Sequence, residues 1–359
     1  MMNIKRSEFI HFSSGETAYL YTITNGKMSF SATNYGCCIT SILLPSKHNT
    51  GFDDVVLGYS TGMAYINNFP HFGSLIGRCA GRIANAEFFI DGEQYLLTPN
   101  DNGRHCLHGG YPAYDKQLWT AITQTDEENA TLIFEKISYD GEQGFPGELK
   151  IIISYTLTSE NEIILKYSAK TDKPTIVNFT NHSYFNLNPA GMRSDGNYVS
   201  VLNHEVQIFS NEYLELDNEL IPTGKILTTE NTDYDFRKPK PLSHGINNLP
   251  NGYDDTWVIK KMQDCDENCK KEKSLATIVR EPITGRVLSI YSTQPGLTMY
   301  TGNFLEGELG KNGDRYSKFS GLCLETQHFP DSIHQPNFPS TILTPEKNYH
   351  EETVWHFKL

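Results

Sequence analysis

Asn178-Phe179-Thr180-Asn181-His182-Ser183-Tyr184-Phe185-Asn186-Leu187 carries turn signals at both ends, Pro174 before it and Asn188-Pro189 after it. Its Val, Phe, Thr and Tyr content argues strand. At a period of two, Asn178, Thr180, His182 and Tyr184 share one face, while Val177, Phe179 and Phe185 share the other. A strand with a coherent polar face and a titratable imidazole either looks at water or lines a site for a polar ligand.

The strand pattern extends outward from there. Thr17 to Thr24 and Lys27 to Asn34 flank Asn25-Gly26, a two-residue hairpin signal, and Phe88–Ile90 and Gln94–Leu96 flank Asp91-Gly92 in the same way. Further strands are expected at 130–137, 149–158, 162–169, 176–185, 205–209, 256–260, 286–292, 297–300 and 321–327. Spacings near ten residues, with Gly, Asn and Pro between, predict an all-β fold, a large antiparallel β-sandwich. No long stretch has a helical period. No repeat or linker interrupts the chain, so a single domain over residues 1–359 is expected despite the length.

Composition narrows the function. The 359 residues include 43 Asp and Glu against 30 Lys and Arg, a net charge of −13, which argues against nucleic acid and anionic membrane surfaces as partners. No apolar run approaches the roughly 20 residues of a membrane span, and no secretory signal is visible after Met1. The seven cysteines are odd in number and irregularly spaced, pointing to reduced thiols and a cytoplasmic location. Cys265 and Cys269 sit among Asp, Glu and Lys in a hydrophilic insertion, which reads as a loop rather than a zinc site.

Five segments offer chemistry. In Gly77-Arg78-Cys79-Ala80-Gly81-Arg82 two arginines beside glycines could cradle a polar ligand or simply pair with carboxylates. His105 and His108 lie three apart before Gly109-Gly110, with no third ligand at hand for a metal; the glycine pair marks a chain pinned where something approaches its backbone. His182 has hydrogen-bonding neighbours at strand spacing. Gly252-Tyr253-Asp254-Asp255 is either a turn or a carboxylate that accepts sugar hydroxyls. In Leu322-Cys323-Leu324-Glu325-Thr326-Gln327, Glu325 falls between apolar residues, where a carboxylate must be paired, exposed in a cleft, or raised in pKa as a general base.

Taken together, these segments resemble the aldose 1-epimerase family, the galactose mutarotases. The likeness runs through nearly the whole chain: Asn34-Tyr35-Gly36, Asp54 to Gly58, Gly77 to Asn85, Leu107 to Gly110, Asp140 to Gly147, Asn181 to Leu187, Pro222-Thr223-Gly224, Gly252-Tyr253-Asp254, Thr301 to Leu305, Leu324 to Gln327 and Phe329-Pro330-Asp331. The resemblance implies the family's supersandwich fold. It implies Glu325 as general base, His182 as general acid, and Arg82, His108 and Asp254 as residues that hold the sugar, with Tyr184 beside the acid as a sugar contact. Two positions depart from the family pattern: Gly81 stands where Asn is common, and Thr298 where Gln is common. Thr298 is then a shorter side chain facing one hydroxyl. The implied reaction interconverts the α and β anomers of aldohexoses such as galactose and glucose by ring opening and reclosure, with no cofactor and no metal. The partner is a small aldose, and the assembly a monomer or homodimer. A non-catalytic sugar-binding protein on the same fold is the alternative; it would keep Arg82, His108 and Asp254 without needing Glu325 or His182.

Overall fold

A computed structural model describes residues 1–47, 50–189, 198–249, 251–259 and 272–359. Cys265, Cys269 and most of the hydrophilic insertion lie outside the described residues. Three large sheets dominate. Asn3–His11, Thr17–Thr24, Ser29–Thr33, Ile39–Pro45 and Phe52–Asp54 form a five-stranded meander in chain order. A nine-stranded sheet runs Thr120–Thr125, Asn129–Ser138, Leu149–Thr158, Glu162–Thr171, Tyr349–Lys358, Val287–Ser292, Ser274–Arg280, Glu205–Ile208 and Lys240–Pro241. The third sheet has six strands in the order Tyr184–Phe185, Leu322–Gln327, Gly296–Tyr300, Asp254–Val258, Glu212–Leu216 and Pro222–Thr228. Neighbouring strands within each sheet are antiparallel. No helix among the described residues is long and apolar enough to cross a membrane.

Strict alternation builds the core. In Leu149–Thr158, Leu149, Ile151, Ile153, Tyr155 and Leu157 point inward, as period two requires. They join one cluster with residues of all three sheets, among them Ile23, Phe30, Leu297, Met299, Leu322 and Trp355. Burial of this kind is the main driving force of folding.

In the six-stranded sheet, Leu322–Gln327 and Gly296–Tyr300 are buried on both faces, while Pro222–Thr228 at the edge is largely open. Leu297, Met299, Leu322 and Leu324 enter the core from one face. The other face carries the polar residues, and register aligns them: Thr298 pairs with Glu325, Tyr300 with Cys323, Tyr184 with Cys323, Thr256 with Thr298, and Asp254 with Tyr300. Asp254 therefore begins a strand, and the turn reading of Asp254-Asp255 gives way.

The expected strand 176–185 is not one strand. Thr175–Ile176, Thr180–Asn181 and Tyr184–Phe185 pair with Ile342–Leu343, Leu75–Ile76 and Leu322–Gln327 respectively. Asparagine side chains interrupt the ladder by bonding to the backbone in its place. Asn178 donates to the carbonyls of Ala80 and His328 and accepts from His328 N–H at 2.9 Å. Asn181 donates to Gly73 O and accepts from Ser183 N–H. The whole segment is buried, so its polar face looks neither at water nor uniformly into a site; only His182 and Tyr184 line the cavity described below.

Candidate active site

A cavity of about 300 Å³ opens over the polar face of the six-stranded sheet. That size lies at the lower end of the roughly 300–1,000 Å³ range of small-molecule sites. All seven residues expected from the sequence line it: Arg82, His108, His182, Tyr184, Asp254, Thr298 and Glu325.

Glu325 and His182 form its floor. His182 Nε2 lies 3.5 Å from Glu325 Oε1, and both are almost fully buried. Burial, with Asp254 nearby, pushes the Glu325 carboxyl well above the usual carboxylate range. Burial and the neighbouring His71 push His182 down to about 3. Both shifts favour the uncharged forms of the pair, a neutral carboxyl facing a neutral imidazole. Desolvation opposes an ionised carboxylate facing an imidazolium in both partners.

Cys323 Sγ sits 3.5 Å from His182 Nδ1. Burial raises the thiol's pKa well above its normal value, so it keeps its proton. Where Nε2 accepts from the protonated Glu325, the neutral ring carries its own proton on Nδ1, and Nδ1–H donates to sulfur just as it does when the ring is protonated. The imidazole keeps its orientation either way. Among the described residues, His182, Cys323 and Glu325 are also the one group whose ligand atoms, all within 4.8 Å of one another, could share a cation. Metal ligands must give up their protons, and burial opposes that at both the thiol and the carboxyl, so the set suits proton transfer better than ligation.

The opposite wall is built by the short pairing of Arg82–Ile83 with Cys106–Leu107. It sets Arg82 beside His108. Arg82 Nε donates to Asp101 at 2.8 Å, and Nη1 lies 3.9 Å from Asp254 Oδ2. The arginine thus has the expected carboxylate partner and still faces the cleft. Arg78 does not: it is buried and donates to the carbonyls of Pro146 and Gly147 and to Thr175 and Ser138. One arginine of the pair is structural and the other belongs to the site. His108 Nδ1 accepts from Gly81 N–H at 3.3 Å, which fixes the neutral ring's proton on Nε2 as a donor. Burial, with His71 and His182 nearby, lowers the His108 pKa well below its normal value. His105 turns away, accepting from Asn85 N–H through Nδ1. What approaches Gly109 is backbone: with φ at +88°, a Cβ there would meet Gly77 O at 2.2 Å.

The two departures have physical counterparts. A Cβ at Gly81 would come within 2.8 Å of Pro330, so a side chain there requires that proline to shift. Thr298 Oγ1 is already engaged by Thr256 and by Gln327 Nε2. Gln327, which also lines the cavity, leaves a buried Oε1 without a partner. Tyr184 gives its hydroxyl to Pro70 O at 2.9 Å, and its ring backs His182 at 5.0 Å between centroids. It braces His182, and with its proton committed the hydroxyl can meet a ligand only as an acceptor.

Sequence reasoning missed His71, Tyr300, Phe304 and Gln327, all of which line the cavity. Gln327 was legible at period two from Glu325. Nothing local distinguishes His71, because its partner Asp115 lies 44 residues away.

The sequence profile of the aldose 1-epimerase family matches residues 19–356. Galactose mutarotase from Mus musculus is 40% identical over the full length of both chains. The Homo sapiens galactose mutarotase is 39% identical, covering 99% of this chain and 98% of its own. Aldose 1-epimerase from Escherichia coli K12 is 33% identical over 96% of each. Among solved structures, an aldose epimerase homologue from C. elegans superposes with a TM-score of 0.82 at 26% identity, covering 100% of this chain and 99% of its own. Matched from end to end and built on the same fold, this chain belongs to the aldose 1-epimerase family.

Proposed function

We propose that this chain is an aldose 1-epimerase that interconverts the anomers of aldohexoses such as galactose and glucose, and that residues 1–359 act as a single domain. The observation that carries this is the buried Glu325–His182 pair, 3.5 Å apart at the floor of a cleft whose walls supply Arg82, His108 and Asp254. A sugar-binding protein can use a carboxylate to accept hydroxyls, but it does not need an acid set 3.5 Å from a base, and two desolvated titratable groups cost stability.

In this reading, ionised Glu325 takes the proton of the C1 hydroxyl while protonated His182 gives one to the ring oxygen. The ring opens to the aldehyde, the C1–C2 bond rotates, and the steps reverse on the other face. The pair holds one proton throughout: on His182 before opening, on Glu325 after it. The uncharged arrangement that burial favours is the one that exists once the ring is open. Sugar hydroxyls donating to Glu325 stabilise its ionised form and tip the proton back to His182. No step needs a cofactor or metal. Each positioned proton transfer supplies about 100- to 10,000-fold, enough for a reaction that already proceeds unaided in water.

We further propose a cytoplasmic enzyme, a monomer or homodimer, without nucleic-acid or membrane partners. The acidic balance of the chain supports the absence of nucleic-acid and membrane partners, and the irregularly spaced cysteines support the location. Polarimetry of freshly dissolved α-galactose tests the activity. Equilibration no faster than the buffer blank would sink the proposal, as would full activity in His182→Asn.

A further inference from the structure

His71 is a third imidazole in the cleft, and no step above uses it. Its backbone sits at φ +58°, a left-handed conformation costly for a side chain of this size. It is braced on several sides. His71 N–H donates to Asn68 O, the Asn68 side chain bonds both N–H and C=O of Phe72, and Tyr184 ties down the carbonyl of Pro70. Nδ1 lies 2.7 Å from Oδ2 of the buried Asp115, which Lys116 also holds at 2.7 Å. With Nδ1 committed, Nε2 is the ring's remaining polar atom, and the side chain lines the cavity. Strain, a dedicated carboxylate and a cleft position together mark a group held in place to be used.

The cleft groups form a closed circuit. From Glu325 it is 3.5 Å to His182, whose ring packs in a triad with His71 at 5.9 Å and His108 at 5.4 Å, the last two being 5.3 Å apart. His108 bonds Gly81 N–H beside Arg82, and Arg82 lies 3.9 Å from Asp254. Asp254 returns to Glu325 on the same sheet face, across the strand Gly296–Tyr300. A pyranose has an equivalent circuit: C1 hydroxyl, ring oxygen, C5 substituent, then the C4, C3 and C2 hydroxyls. With Glu325 at the C1 hydroxyl and His182 at the ring oxygen, as the proposed reaction requires, two imidazoles border the next stations; His108 leads on through Gly81 to Arg82 and Asp254 and so toward the ring hydroxyls, which leaves the C5 substituent to His71.

We propose that His71, held by Asp115, is a substrate-positioning residue that hydrogen-bonds the hydroxymethyl group on C5 and so selects hexoses over pentoses. The assignment rests on the proposed reaction. It holds in either charge state, since a neutral Nε2 accepts from the hydroxyl and a protonated one donates to it.

Three sugars of the same ring configuration isolate the contact: D-galactose, D-fucose (a methyl in place of the hydroxymethyl) and L-arabinose (neither). The wild-type kcat/KM should favour galactose by about 10-fold over the other two, the value of one hydrogen bond to a site built for it. Asparagine tolerates the left-handed backbone, so His71→Asn should fold. In that variant galactose should fall about 10-fold and the other two less than twofold. Equal treatment of the three sugars by the wild type, or an equal loss across them in the variant, would overturn the assignment. If the wild type accelerates no sugar, the epimerase reading fails, and calorimetric binding decides His71 alone. Tighter galactose than D-fucose binding, lost in His71→Asn, supports it; equal binding refutes it.

Discussion

Glu325→Gln should inactivate this protein and stabilise it at once. Gln keeps the side-chain volume, so no cavity opens. It cannot take a proton, so the catalysed rate should fall by about 100- to 10,000-fold, or about 2.7–5.5 kcal/mol of barrier. The stability effect follows from the buried position of Glu325, whose folded-state pKa lies well above its unfolded value. Below about pH 4 the carboxyl is protonated in both states and costs nothing extra. As pH rises, the unfolded chain ionises first, which penalises the folded state progressively until its own pKa is passed. Gln carries no such penalty. Urea unfolding at pH 4 and pH 7, with polarimetry on the same samples, reads both effects. The variant should match wild type at pH 4 and show a higher midpoint at pH 7, with an unchanged slope. Retained activity would remove Glu325 from its role, and a variant less stable at pH 7 would refute the desolvation argument.

Because burial lowers His182 to about 3 and raises Glu325, the two limbs of the pH–rate profile should stand far apart. Initial rates should be nearly flat across roughly pH 5 to 8 and belong to the pair; a narrow bell within that window would contradict it. His182 by itself makes stability fall as pH drops from 6.5 toward 3, since only the unfolded ring gains a proton there. The two arginines should separate cleanly. Arg78→Met strands several buried acceptors and should cost about 3–5 kcal/mol in chemical unfolding, whereas Arg82→Met should raise KM with little change in midpoint. Gly81→Asn should weaken activity through displacement of Pro330, and a gain in kcat/KM would show that the proline yields easily. Activity should be indifferent to EDTA; loss on chelation with rescue by a divalent metal would overturn the cofactor-free chemistry.

Alternation and turn chemistry are local, and they carried part of the fold; Asn3–His11, Ile39–Pro45, Thr120–Thr125 and Ser274–Arg280 are strands that the sequence pattern did not mark. Asn25-Gly26 and Asp91-Gly92 close hairpins as expected, and Leu149–Thr158 runs over the residues its pattern marks. The strand Tyr349–Lys358, central to the nine-stranded sheet, went unread because its His-Glu-Glu-Thr stretch carries no clean alternation; pairing on both sides made it a strand. The stretch from Asn178 to Leu187 shows the reverse. Its residue types say strand, yet its asparagines bond distant backbone and break it into pieces with different partners.

The site divides along the same line. Residue types in order were enough to name Glu325, His182, Arg82, His108 and Asp254. Which arginine faces the cleft, which hydroxyls of Tyr184 and Thr298 are already engaged, and which way burial shifts Glu325 and His182 were decided only when strands far apart in sequence were brought into register. His71 belongs wholly to that second category: it has meaning only beside Asp115, His108 and His182, which no spacing rule connects. Sequence acts through neighbours along the chain, whereas desolvation and hydrogen-bond partnership act through neighbours in space. Those spatial neighbours decide which titratable groups are driven to the uncharged state and which polar atoms remain free for a sugar.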